Sequence, residues 1–137
     1  MALTRLDHFS IRTADVEKTR DFFVMVLGLT DGERPPFNFP GAWLYCAGKP
    51  VVHIIGIDPN DKSGLVDYLG DGDEEAPTGS GAVDHLAFMA EDLNATRALL
   101  EQAGVATRER EVPLLGLRQI FMEDPNGVTI ELNFPLG

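Results

Sequence analysis

At 137 residues, 44% apolar and 24% charged, the chain has the size and composition of one globular domain rather than a disordered or membrane-embedded polypeptide. A formal charge of −11 argues against gripping a phosphate backbone, which needs clustered Lys and Arg, and no apolar run is long enough to span a bilayer, so neither nucleic acid nor membrane is expected as a partner. Cys46 has no internal disulfide partner, and Met1–Arg5 carries neither a charged leader nor an apolar signal core; both features point to a reducing, cytoplasmic setting.

Leu6-Asp7-His8-Phe9-Ser10-Ile11 opens the chain as a strand-like run. Asp15 then reads as a helix N-cap, because its carboxylate can accept from a backbone N–H that has no partner in the first turn. The helix is expected to bury Val16, Phe22, Phe23, Val26 and Leu27 and to stop at Gly28. Strand-like runs follow at Leu29–Glu33, Ala42–Ala47 and Val51–Ile57. Trp43 and Tyr45 alternate with Leu44 and Cys46, so one pair faces away from the other, and the pattern does not say which faces a cavity. Between the first two of these strands, Pro35-Pro36-Phe37-Asn38-Phe39-Pro40 is irregular; its aromatics either pack on the core, the favoured expectation, or line a pocket. The stretch from about 59 to 81, rich in Asp, Glu, Gly and Ser, reads as a linker or loop.

The second half repeats this order. Val83-Asp84-His85-Leu86-Ala87-Phe88 reads as a strand, and Asp92 as an N-cap. Its helix is expected to bury Leu93, Thr96, Leu99, Leu100 and Ala103 and to stop at Gly104. Strands are expected at Ala106–Val112, Leu117–Glu123 and Val128–Phe134, with Asp124-Pro125-Asn126-Gly127 as a tight turn before the last. Each half therefore reads β-α-β-β-β: one module over about 1–58, the other over about 82–137.

The repeat has a consistent offset. His8 and His85 are 85 − 8 = 77 apart, Asp15 and Asp92 are 92 − 15 = 77 apart, and His53 and Glu131 are 131 − 53 = 78 apart. All three histidines of the chain thus fall in two pairs of equivalent positions, the fourth place being taken by Glu131. Imidazole nitrogen with carboxylate oxygen suits one divalent transition metal: Fe(II), Mn(II), Ni(II), Co(II) or Zn(II) rather than Ca(II) or Mg(II). Strand alternation sets Ser10 and Arg12 on the face of His8, and Thr129 and Asn133 on that of Glu131, a polar lining that fits a cavity. Arg12 and Arg118 are the strand cations that could anchor an anion, with a solvated face the favoured expectation for Arg118.

Paired β-α-β-β-β modules with Asp7-His8-Phe9-Ser10-Ile11, Asp84-His85-Leu86-Ala87-Phe88 and Asp124-Pro125-Asn126-Gly127-Val128-Thr129-Ile130-Glu131-Leu132 resemble the vicinal oxygen chelate superfamily. It includes glyoxalase I, extradiol dioxygenases, fosfomycin-resistance proteins, methylmalonyl-CoA epimerase and bleomycin-binding proteins. The resemblance implies an α+β fold in which two modules form an eight-stranded, incompletely closed barrel around a divalent metal. It implies His8, His53, His85 and Glu131 as the metal ligands, a small-molecule substrate and a homodimer, its modules paired within one chain or across two. Two histidines and a carboxylate match the facial set of Fe(II) oxygenases. The favoured expectation is accordingly an Fe(II)-dependent extradiol-type dioxygenase acting on a small catechol-like compound, with His53 either a fourth ligand or the acid–base residue. A glyoxalase- or epimerase-type lyase or isomerase is the alternative, although such enzymes usually carry Glu or Gln where His53 stands. A non-catalytic binding protein is the third.

Overall fold

The structure is a computed structural model, and it describes residues 1, 3–58, 60–61, 63–65 and 75–136. It divides into two compact units, Met1–Pro77 and Thr78–Gly137. Among the described residues, no helix is long and apolar enough to cross a membrane.

The first unit contains β1 (Phe9–Thr13), α1 (Val16–Asp21) running into a π-helical turn (Phe22–Val26), β2 (Thr30–Gly32), β3 (Gly41–Cys46) and β4 (Lys49–Gly56). The strands form a sheet of order β1-β4-β3-β2, with β1 parallel to β4 and the other pairs antiparallel. Asp15 caps α1 by accepting from the Lys18 N–H at 3.0 Å. One face of the sheet, carrying Ile11, Ala42, Leu44, Val52 and Ile54, is buried together with Phe22 and Phe23. Thr19 joins that core as a polar member, its hydroxyl donating to the Asp15 carbonyl at 3.0 Å and so meeting the rule that buried polar groups find partners. Val16, Val26 and Leu27 are only half-buried; for Val26 and Leu27 the wider π-helical turn rotates the stripe that a regular helix would present.

The second unit contains β5 (Leu86–Met89), α2 (Leu93–Gln102), β6 (Arg108–Val112), a 3₁₀ turn (Pro113–Leu115), β7 (Leu117–Glu123) and β8 (Thr129–Pro135). Its sheet order, β5-β8-β7-β6, repeats that of the first, with β5 parallel to β8. Asp92 caps α2 through the Ala95 N–H at 3.1 Å. Gly28 and Gly104 end the two helical segments at φ +76° and +71°, a conformation that costs a Cβ-bearing residue more. Leu100 is buried with Ile120, Met122, Ile130, Leu132 and Phe134. Leu99, expected in the core, is exposed: at 100° per residue it lies well to one side of the stripe through Leu93, Thr96 and Leu100.

One expectation changes in the connecting segments. Leu65, inside the expected linker, is 2% exposed and packs with Phe39 and Ile57, so part of that polar stretch belongs to a core. The remainder of the linker over 66–74 lies outside the described residues. Phe39 packs inward as favoured, and Phe37, half-buried, packs against the same cluster, its ring centroid 5.2 Å from that of Phe39 and 6.4 Å from that of Trp43.

Candidate functional site

The register of the first sheet sets Ser10, His53 and Trp43 in one row across β1, β4 and β3. This is the face opposite Leu44, Val52 and Ile54, which settles that Trp43 rather than Leu44 looks away from the helix. His8 does not lie within a strand; it stands one residue before β1. Its ring stacks on His53 with centroids 3.7 Å apart and planes 15° apart, and His53 stacks in turn on Trp43 at 4.1 Å and 10°. His8 Nδ1 is 2.7 Å from Asp7 Oδ2, leaving Nε2 as its other ring nitrogen. Because a carbonyl only accepts, His53 Nε2 donates to the Pro50 oxygen, 3.0 Å away, which leaves Nδ1 with a lone pair. Burial, with the neighbouring His8 charge second, holds the His53 pKa below its ordinary value. Asp7 is held below the usual carboxylate value chiefly by its hydrogen bond with His8.

The second unit builds the corresponding face differently. His85 stands one residue before β5, and its Nδ1 is 2.7 Å from Asp84 Oδ1, as His8 is held by Asp7. Its Nε2 lies 3.4 Å from Glu131 Oε1 on β8. Glu131 is 7% exposed, and its other oxygen accepts from Asn133 Nδ2 at 2.8 Å. Gln119 Nε2 donates to Asn133 Oδ1 at 3.0 Å, and Arg110 Nε donates to Gln119 Oε1 at 2.7 Å. Phe121, paired with Glu131 across β7 and β8, meets the His85 ring edge-on at 6.3 Å.

The four residues singled out in the sequence therefore come together as two pairs, His8 with His53 and His85 with Glu131. Within each unit, among the described residues, no group of three His, Cys, Asp or Glu side chains is set to hold a metal ion. The donor chemistry nevertheless discriminates among the four. His8 and His85 each have Nδ1 anchored by the preceding aspartate, the carboxylate–histidine arrangement that orients a ligand and fixes its tautomer. Glu131 presents a buried carboxylate oxygen toward His85. Each of these three offers a donor of the kind that suits a divalent transition metal. His53 as arranged does not join His8 on one ion: the rings are stacked, so an ion in the plane of one lies well out of the plane of the other.

Arg118 lies on the face of Ile120, paired with Glu111 and 3.6 Å from Glu109, away from this constellation. Arg12 donates to the Glu75 carbonyl at 3.4 Å. Sequence reasoning placed Asn133 on the face of Glu131 but missed Gln119 and Arg110. The available signal was one polar residue per strand in a single row, Gln119 opposite Asn133 and Arg110 opposite Gln119.

The family described as Glyoxalase/Bleomycin resistance protein/Dioxygenase superfamily matches residues 5–132. A curated relative named Glyoxylase I 4, from Arabidopsis thaliana, is 28% identical over 133 residues, 95% of this chain and 70% of the relative. A probable lactoylglutathione lyase from Vibrio cholerae serotype O1 is 27% identical over 137 residues, 96% of this chain and 91% of the relative. Among solved structures, TnmS3, an antibiotic binding protein from Streptomyces sp. CB03234, shares the fold with a TM-score of 0.68 over 98% of both chains, at 23% identity.

Proposed function

We propose that this chain, which belongs to the Glyoxalase/Bleomycin resistance protein/Dioxygenase superfamily, is a metal-dependent glyoxalase-type lyase acting on a small hemithioacetal. The observation that carries the reading is the pair of relatives, matched over nearly all of this chain, that are named for glyoxalase chemistry. They favour the lyase over the extradiol dioxygenase. The dioxygenase expectation drew on the His/His/Glu donor set, which serves both chemistries.

His8, His85 and Glu131 are the metal-binding residues in this reading, on the chemistry of their donors. When bound, the ion supplies positive charge that polarises the substrate's oxygen. No electrons pass to O2 in a lyase, so the preference for Fe(II) lapses and Zn(II), Ni(II), Co(II) or Mn(II) serve equally well. His53 takes the proton-transfer role. It is the repeat counterpart of Glu131, its lowered pKa keeps it neutral near pH 7, and its Nδ1 is left to accept a proton. In this role it removes a proton from the carbon bearing sulfur and returns it to the neighbouring carbon, while the hydroxyl proton passes to the neighbouring oxygen, giving the isomeric 2-hydroxy thioester.

The test is thioester formation, followed by absorbance, from a 2-oxoaldehyde and a thiol with Ni(II)- or Zn(II)-loaded protein. Turnover is expected, and His53→Ala should keep the metal while losing roughly 10²–10⁴-fold in kcat. Oxygen uptake on catechols by Fe(II)-loaded protein, with no thioester formed, would restore the dioxygenase. Loss of metal in His53→Ala would return that residue to the ligand set.

A further inference from the structure

We propose that Arg110, Gln119 and Asn133 are positioning residues for Glu131, forming one directed row of hydrogen bonds that ties down Oε2 and leaves Oε1 as the single oxygen offered to a metal. The inference rests on the assignment of Glu131 as a ligand made above.

The row follows from sheet register. Arg110 pairs with Gln119 across β6 and β7, and Gln119 pairs with Asn133 across β7 and β8, so three side chains on one face form a line perpendicular to the strands. Asn133 is two residues from Glu131 on the same face of β8 and reaches along the strand to its carboxylate. The direction of the row is fixed from both ends. A guanidinium only donates, so Gln119 turns its carbonyl oxygen toward Arg110 and its amide nitrogen toward Asn133. A carboxylate only accepts, so Asn133 turns its nitrogen toward Glu131. Flipping either amide breaks two bonds. With Gln119 and Asn133 4% and 6% exposed, water offers little replacement, and a buried amide without partners is costly.

The first unit shows that the fold does not require this row. The positions equivalent to Gln119 and Asn133 are Gly41 (119 − 41 = 78) and Ile55 (133 − 55 = 78), themselves paired across β3 and β4. At Gly41 a Cβ would overlap the Ile54 carbonyl and stand 2.9 Å from the Arg34 guanidinium, so no side chain fits there. Beside His53 the row is thus absent, and the imidazole packs between Trp43 and His8. The amides occur in the module whose ligand position holds a carboxylate. That carboxylate has two equivalent oxygens, and a metal site of defined geometry needs them distinguished.

Titration with Co(II) of otherwise metal-free protein tests the row, read by affinity and by the visible absorption of the bound ion. Gln119→Leu and Arg110→Met are expected to weaken binding about 10–100-fold, the usual cost of removing an outer-shell partner, and to alter the absorption bands. Arg110→Lys, which keeps a donor-only cation at the end of the row, should restore most of both. Arg110 is exposed and leaves the core intact, so Arg110→Met serves even if Gln119→Leu fails to fold. Wild-type affinity and an unchanged spectrum in Arg110→Met would overturn the inference while leaving Glu131 as a ligand. No Co(II) binding by the wild-type protein would instead remove the metal reading itself, and the inference with it.

Discussion

His8 and His85 illustrate how a short motif orients a ring. In each Asp-His pair the aspartate holds Nδ1 at 2.7 Å, so the ring is oriented before anything binds, and Nε2 is the nitrogen left over. Glu131 adds a carboxylate that the surrounding amides keep in place. His85→Ala and Glu131→Ala should each lose most of the one transition metal expected per chain. Elemental analysis after anaerobic purification checks this, and full retention in both would refute the assignment. Asp84→Asn should have a milder effect, about 10–100-fold in metal affinity, since it loosens the ring without removing a donor. The residue types and their 77- and 78-residue offsets were readable from the chain alone. The stacking of His53 between His8 and Trp43 was not, because it depends on which face of β3 carries the tryptophan, and alternation leaves that choice open until the sheet is packed.

At the level of elements, helical periodicity identified both helices, both N-caps and both terminal glycines, since these are local effects. It missed the π-helical turn at Phe22–Val26 and the outward side of Leu99, which arise from packing rather than propensity. Phe23 has no exposed surface and sits under the first sheet, so Phe23→Ala should cost about 3–5 kcal/mol in chemical denaturation, whereas Leu99→Ala should change little. In the second unit α2 is tied to β6 by Arg97, whose Nε and Nη2 reach Glu109 at 3.0 and 2.8 Å. Hydrogen bonds from Arg97 hold the Glu109 pKa below its ordinary value. A lowered carboxylate pKa stabilises the fold above the unfolded-state value of about 4.3, and that contribution is lost as pH falls through the folded value. Glu109→Gln should therefore lower the thermal midpoint at pH 7 and match the wild type near pH 2, where both carry a neutral side chain. A constant difference at all pH values would mean that the glutamate acts by packing alone.

For the molecule as a whole, the repeat in the sequence corresponds to a repeat in topology: two sheets with the same strand order, each with its single parallel pair between the first and last strand of the module. Each sheet also has two edge strands, β1 and β2 in one and β5 and β6 in the other. Edges expose unpaired backbone groups, and proteins cover them, charge them or pair them. β6, Arg108–Val112, carries alternating charges and is protected in this way, but β5, Leu86–Met89, is apolar and carries the exposed Met89. An apolar edge of this kind calls for a covering segment, supplied within the chain or by a second copy. We therefore expect a homodimer, as the superfamily resemblance also implies. Two chains of formal charge −11 repel, and repulsion between exposed charges is screened over about 8 Å at 0.15 M salt and reaches farther when salt is low. Light scattering should accordingly report twice the chain mass at micromolar concentration in 0.15 M salt, with dissociation favoured as salt is reduced. A monomer across that concentration range at both salt levels would show that β5 is covered from within the chain and would remove the dimer from the proposal.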